Sequence, residues 1–186
     1  MISQSASAGF EALLAQSLKK AMTVLPDDQC EVVEALATEA FSESSVVVLT
    51  SSSYVFRVMV LIYFSADMPT KTHFSRRQGI LAEEFSQQAF MDAICESANM
   101  CSGGFNRELG RFFPHIGLST PNILERRCAD HISALRAGLV KHFQVTVNGA
   151  NLFHASMCVC DYDTLDFAYH PDALADAVGE GELEFF

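Results

Sequence analysis

Apolar residues in the first part of the chain recur at the spacing of helices. One run ends at Pro26, and Asp27 or Asp28 can cap a second helix after it. The first run comprises Phe10, Leu13, Leu14, Leu18, Ala21, Met22 and Leu25, and the second comprises Val32, Val33, Leu36, Ala40 and Phe41. The pattern therefore predicts two helices before residue 42.

The chain from Val46 to Phe64 has the composition of β-strands. Residues 46–49 and 54–64 are rich in β-branched and aromatic side chains, and the turn-prone Ser51-Ser52-Ser53 joins them. The longer segment is apolar on both faces, which predicts a central strand that is covered on both sides.

The rest of the chain alternates between helical and extended patterns. We expect a loop over 66–78, a helix from about 80 to 113 that breaks or continues near Ser86, and a helix over 124–138. Asn148-Gly149 between 143–147 and 150–160 predicts a two-residue hairpin. From His170 onward we expect a short helix and a loose end. The order of elements predicts one α+β domain over 1–186, with a largely antiparallel sheet packed with long helices.

The charge balance excludes some classes of partner. Twelve basic and 23 acidic residues give a formal net charge of −11. Such a surface repels nucleic acid and anionic lipid. The N-terminus has no signal-peptide pattern, and the longest apolar stretch is too short to span a bilayer. We therefore expect a cytoplasmic protein with no nucleic-acid or membrane partner.

The segment around residues 90–109 predicts a helix with two contrasting faces. Six apolar residues fall on one side: Phe90, Ile94, Ala98, Cys101, Phe105 and Leu109. The opposite side carries Asp92, Glu96, Asn99 and Gly103 in one stripe. The stripe would thus present carboxylates, an amide and bare backbone to a partner.

The order Asp92, Glu96, Asn99, then Met100 and Gly103, with Pro121 further on, resembles the motif of the CheC/CheX/FliY chemotaxis phosphatases. The phrase Glu-x-Ala-Asn-Met is most similar to CheX-type sequences. The resemblance is specific over about 92–123, and elsewhere only the order of elements agrees.

The resemblance implies a function and roles for these residues. Members of the family dephosphorylate the phospho-aspartate of CheY-like response regulators. Asn99 would orient the attacking water, Glu96 would engage a lysine of the regulator, and Asp92 would support them. Gly103 and Pro121 would help to form the binding surface. Phosphoryl transfer of this kind needs positioning more than covalent chemistry. We expect no cofactor in this chain and Mg²⁺ in the regulator.

The resemblance also bears on assembly. CheC-type members carry two such helices, whereas the first predicted helix here keeps Ser7 and Glu11 but has Leu14 where a second asparagine would be needed. One intact site indicates a CheX-like protein, for which we expect a homodimer that shares one face of strand 54–64. The alternative is a monomer in which two N-terminal helices cover that face.

A metal site is a competing interpretation. His154, Cys158 and Cys160 are predicted to share a face of the hairpin with Phe143 and Val145. Because these neighbours are typical of a core, a buried histidine is favoured over a zinc ligand, and the spacing does not match a common zinc pattern.

Two further alternatives stay open. Cysteine–histidine hydrolysis has candidate residues but no local signature. The chain could instead be a non-catalytic module that binds a regulator or is associated with the flagellar switch. We expect the basic pairs at 76–77 and 126–127 to be solvated.

Overall fold

A seven-stranded antiparallel sheet is the centre of the fold, in a computed structural model that describes residues 1–36 and 41–170. The strands are β1 (Cys30–Ala35), β2 (Ser45–Ser52), β3 (Phe56–Phe64), β4 (Gly117–Leu118), β5 (Asn122–Glu125), β6 (Leu139–Val147) and β7 (Ala150–Asp161). They lie in the order β1-β6-β7-β3-β2-β4, and β5 also pairs with β2. The sheet thus has β1 at one edge, with β4 and β5 at the other.

Two long helices pack on one face of this sheet. The helical elements are α1 (Gln4–Met22), α2 (Met68–Ser75) with a 3₁₀ turn (Arg76–Gln78), α3 (Gln87–Leu109) and a 3₁₀ segment (Arg126–Leu135). Helices α1 and α3 contact each other and bury their apolar faces in the larger core. The predicted α+β class, with an antiparallel sheet and long helices, is confirmed.

Aromatic rings join the two helices to the sheet. The ring of Phe10 on α1 lies 6.0 Å from Phe56 on β3 and 6.5 Å from Phe105 on α3, measured between centroids. All three side chains are fully buried. Because each ring removes a large apolar area from water, this cluster fixes α3 against the sheet.

The second face of the sheet is covered by residues of the same chain. Leu61 and Tyr63 of β3 pack with Phe41 and with Ala129 of the 3₁₀ segment. Strand β3 is therefore central and covered on both sides, as predicted. Helix α1 packs on the other face, so the N-terminal helices do not provide this cover. The homodimer stays a prediction, but sharing of this face of β3 no longer supports it.

The second predicted helix is wrong, because residues Cys30–Ala35 form the edge strand β1. Strand β1 pairs with β6, with Cys30 opposite Val147 and Ala35 opposite His142. The adjacent Val32 and Val33 favour a strand, and pairing with a distant part of the chain decides the outcome. Residues 37–40 of the predicted helix, and the tail predicted beyond His170, lie outside the described residues.

Two shorter predictions also need correction. Residues 66–78 are not a loop, because α2 begins there: Asp67 accepts a hydrogen bond from the Thr70 N–H at 3.1 Å, and Pro69 occupies the first turn. The predicted helix over 124–138 is instead β5 followed by the 3₁₀ segment.

Helix α3 is shorter than predicted at both ends. It begins after Ser86, whose hydroxyl accepts a hydrogen bond from the Ala89 N–H at 3.1 Å, and it ends at Leu109. The break that we placed near Ser86 is therefore the start of the helix. Phe112 and Phe113 lie beyond it and pack partly buried against the core.

The predicted hairpin is confirmed, but one face assignment is wrong. Asn148 and Gly149 have φ values of 52° and 79°, as a two-residue turn of this kind requires. A bulge between Val145 and Thr146 shifts the register of β6 against β7. The shift reverses the alternation of faces. His154 and Cys158 therefore lie on the opposite face from Phe143 and Val145.

Candidate functional site

Helix α3 presents the candidate site on the side opposite to its buried face. All six predicted core residues are fully buried: Phe90, Ile94, Ala98, Cys101, Phe105 and Leu109. Asp92, Glu96 and Asn99 are exposed on the other side. Deep burial of one face holds the helix in a fixed rotation, so the three polar side chains share one surface. We call these three residues, together with Gly103, the stripe.

The stripe residues differ in their hydrogen bonds. Gln88 donates from Nε2 to Asp92 Oδ1 at 2.8 Å, which orients that carboxylate. Glu96 Oε1 lies 3.7 Å from Arg77 Nη1, and both side chains are more than half exposed. Within the described part of the chain, the Asn99 side chain has no hydrogen-bond partner. Its amide is therefore free to donate and accept toward a partner.

A cleft of about 570 Å³ lies beside the stripe. It separates α3 from the end of α1 and from α2 with its 3₁₀ turn. Asp92 and Glu96 form one wall, and Phe74 and Arg77 contribute to the opposite one. A side chain of a partner can therefore enter next to Glu96 without any movement of the helices.

A buried carboxylate positions the wall that carries Arg77. The Asp28 side chain is fully buried and accepts hydrogen bonds from Arg76 Nη1 at 2.8 Å and from Asn148 Nδ2 at 2.8 Å. It also accepts from the N–H groups of Val24 and Leu25. Burial raises the pKa of Asp28, but these hydrogen bonds outweigh it and lower the pKa to about 2.

Arg77 lines the cleft beside Glu96, and the sequence analysis did not place it there. It belongs to a basic pair that we expected to be solvated, yet Arg76 binds Asp28 and Arg77 faces Glu96. The Asp67 cap with Pro69 was a local signal for α2. No local signal reports that α2 packs beside α3.

The two remaining candidate residues occupy different places. Gly103 lies one turn beyond Asn99 and lines a second groove, between α1 and α3. A Cβ atom there would meet no atom within 4 Å, so only an outside partner could require a glycine at this position. Pro121 lies between β4 and β5 at the edge of the sheet and does not line the cleft.

Helix α1 does not carry a second stripe. Leu14 is fully buried, and Glu11 Oε2 lies 3.0 Å from Lys141 Nζ, which also contacts Glu34 Oε1 at 2.6 Å. Glu11 thus joins α1 to strands β1 and β6. The ion pair with Lys141 therefore accounts for a glutamate at position 11 without a second functional site.

The cysteine and metal alternatives gain no support from the geometry. Burial raises the pKa of Cys101 and of Cys158 to about 12, so neither thiol forms the nucleophilic thiolate easily. His154 stacks on Phe41 at 4.0 Å and contacts Glu43 at 2.5 Å. Across residues 1–36 and 41–170, no group of three or more His, Cys, Asp or Glu is arranged to hold a metal ion.

Comparison with solved structures identifies the fold. CheX from Vibrio vulnificus matches at a TM-score of 0.56 and 17% identity, over 81% of this chain and 95% of that one. CheX from Borrelia burgdorferi, solved as a CheX–CheY–BeF3–Mg²⁺ complex, matches at 0.58 and 9% identity, over 83% and 98%. The FliM middle domain from Vibrio alginolyticus matches at 0.51 and 10% identity, over 82% and 91%.

The fold is therefore that of CheC/CheX-like chemotaxis proteins, and it is also similar to the FliM middle domain. A scan against protein-family models and a search of curated proteins gave no significant match. Within the described ranges, no helix is long and apolar enough to cross a membrane.

Proposed function

We propose that the protein is a phosphatase that removes the phosphoryl group from the phospho-aspartate of a CheY-like response regulator. The observation that carries the proposal is the stripe. An exposed carboxylate and an unpaired amide stand one turn apart on a helix whose other face is fully buried. The CheX of similar fold that was solved bound to CheY supports the choice of partner.

Asn99 would act on the water. An amide that has no partner in the described part of its own chain can accept a hydrogen bond from a water and donate to a phosphoryl oxygen. Because it does not titrate, it keeps this geometry across neutral pH. The contribution of Asn99 is positional, since a water that is held in line with the scissile bond attacks in an effectively unimolecular step. The regulator would supply the phospho-aspartate and the Mg²⁺.

Glu96 would dock the regulator through a cation, with Asp92 in support. Its contact with Arg77 is long, at 3.7 Å, and more than half exposed on both sides. Such a contact is weak. A lysine of the regulator could therefore share or displace it at little cost. We place this activity in the cytoplasm, where response regulators act.

The test is phosphate release from a panel of phosphorylated receiver domains in the presence of Mg²⁺. Asn99→Ala should lower the stimulated rate by roughly a hundredfold with binding retained, because only the position of the water is lost. Glu96→Gln should weaken binding roughly tenfold, since a charged hydrogen bond is removed. Binding is measured separately with a beryllofluoride-activated receiver.

Matched controls are available nearby. Gln87 is an exposed amide on the first turn of the same helix, and Glu83 is an exposed carboxylate just before it. Gln87→Ala and Glu83→Gln should leave both rate and binding unchanged. If Asn99→Ala hydrolyses every receiver as fast as the wild-type protein does, the assigned role of Asn99 is wrong.

A non-catalytic module is the second candidate. The likeness to the FliM middle domain favours it, because that neighbour shows that the fold is not confined to CheC/CheX-type proteins. In this case the activated receiver would bind, Glu96→Gln would weaken binding, and no receiver would lose phosphate faster than it does alone.

A further inference from the structure

The chain after β7 follows α1 in a fixed direction. Leu165 exchanges backbone hydrogen bonds with Met1 and Ser3, both at 2.9 Å. Two residues later, Phe167 packs on Phe10 with centroids 5.1 Å apart. The Tyr169 hydroxyl then donates to Gln16 Oε1 at 2.8 Å. Residues 165–169 thus run along α1 from its N-terminus toward its C-terminus.

A groove between α1 and α3 begins where this path ends. Its volume is about 490 Å³, and its lining includes Gln16, Lys20, Met100, Gly103 and Arg107. Gln16 both binds Tyr169 and lines the groove. Met100 is half exposed, and the space around Gly103 is open, since a Cβ atom there would meet no atom within 4 Å. Ala21 and Met100 line both this groove and the cleft beside Glu96.

The accessible charges of the groove are positive. Glu108 also lines it, but its side chain is only 15% exposed and lies 3.2 Å from Arg111. Lys20 has no ion pair within the described part of the chain. Arg107 is 72% exposed and has only a long contact with Glu108, at 3.8 Å. In a protein with a net charge of −11, two such cations beside apolar surface are unusual.

The sequence that follows Tyr169 complements this groove. Residues 171–186 contain no lysine or arginine. They combine carboxylates with large apolar residues: Asp172, Leu174, Asp176, Val178, Glu180, Glu182, Leu183, Glu184, Phe185 and Phe186. The carboxylates match Lys20 and Arg107, and the apolar residues match the surface around Met100.

We propose that residues 171–186 bind in the groove between α1 and α3 of their own chain. Their length is sufficient, because Glu108 and Glu96 are about 18 Å apart along α3. About six extended residues cover that distance. The bound segment would cover Gly103 and the end of the stripe. It would therefore compete with a docking regulator, a consequence that rests on the proposed function.

Carbodiimide crosslinking of the full chain tests the binding without any phosphatase assay. This reagent joins a lysine amine directly to a carboxylate in contact with it. Lys20 should couple to carboxylates of 172–184 roughly tenfold more than the control Lys71 on α2, because a docked segment has a high local concentration. Mass spectrometry of the digested monomer measures both products.

Two charge reversals separate binding in the groove from general attraction. Arg107→Glu should remove most of the Lys20 crosslinks, whereas Arg136→Glu, which lies outside the groove, should not. Equal coupling of Lys20 and Lys71 would overturn the proposal. So would Lys20 crosslinks that form only between two differently labelled chains, because the occupant would then come from a second copy.

Discussion

Replacing Asp28 with asparagine should destabilise the fold through one buried charge. The pKa of this carboxyl is lowered from 3.8 to about 2, and its side chain is fully buried. At 1.36 kcal/mol for each pKa unit, the ionised form gains about 2 kcal/mol in the folded state. The substituted amide could keep the backbone hydrogen bonds but would lose the charge that binds Arg76. For a chain of this size we expect Tm to fall by about 4–8 °C.

The pH dependence gives the sharper readout. The folded-state pKa is depressed, so the stabilisation by the Asp28 charge is complete above the unfolded-state pKa of 3.8 and is lost as the pH falls through about 2. The difference in unfolding free energy between the wild-type protein and Asp28→Asn should be constant near neutral pH and should close in acid. Urea unfolding at a series of pH values measures it.

Asp27 provides the control, since it is exposed beside Asp28. Asp27→Asn should change the free energy of unfolding by less than about 0.5 kcal/mol. The reasoning about Asp28 fails if the two variants are equally stable at neutral pH, or if the difference between Asp28→Asn and the wild-type protein persists unchanged at acid pH.

Three further predictions concern packing, ion pairs and thiols. Phe105→Ala should lower the free energy of unfolding, measured by urea denaturation, by about 3–5 kcal/mol, because it leaves a cavity between α3 and the sheet. A loss below about 1 kcal/mol would contradict this packing. Lys141→Ala removes the contacts with Glu11 and Glu34 and should lower the free energy of unfolding by less than about 1 kcal/mol, and by less still in high salt. A loss that does not depend on salt would contradict this. Cys101, with its pKa raised to about 12, should react with a thiol reagent at about pH 8 only after denaturation; mass spectrometry showing equal labelling of native and denatured protein would refute it.

The sequence predicted α3 and its stripe because the information is local. Six buried residues recur with the period of one helix face, and this period alone places Glu96 and Asn99 on the other side. The turn at Asn148-Gly149 was equally local, since both positions require positive φ. Elements with a strong period or a specific turn need no knowledge of the tertiary structure.

The missed features depend on distant contacts. The apolar spacing of Val32, Val33 and Leu36 suits a helix. Residues 30–35 form a strand only because they pair with β6, which lies more than a hundred residues later in the sequence. The bulge beside Val145 reverses the faces of the hairpin without any Gly or Pro to mark it. The Arg77–Glu96 contact depends on the packing of α2 beside α3, and Asp28 binds the neighbouring Arg76.

The predicted homodimer now depends on the edge of the sheet. Both faces of β3 are covered within the chain, so that strand offers no shared surface. Strand β1 is different, because among the described strands it pairs only with β6 and its other edge is open. Val33 on β1 is 53% exposed. An edge strand of six residues with an exposed β-branched side chain can pair with a second copy.

We therefore expect two chains to associate through β1, which would leave the α3 stripe of each chain free for one regulator. Light scattering at micromolar concentration should give twice 20.4 kDa for the wild-type protein. Val33→Lys should return the mass to that of one chain, because a lysine on an edge strand disfavours pairing with a second edge. Val140→Lys, at an exposed valine on β6, serves as the control and should leave the dimer intact. A wild-type mass of 20.4 kDa would show that the homodimer is wrong and that each chain covers its own sheet and acts alone.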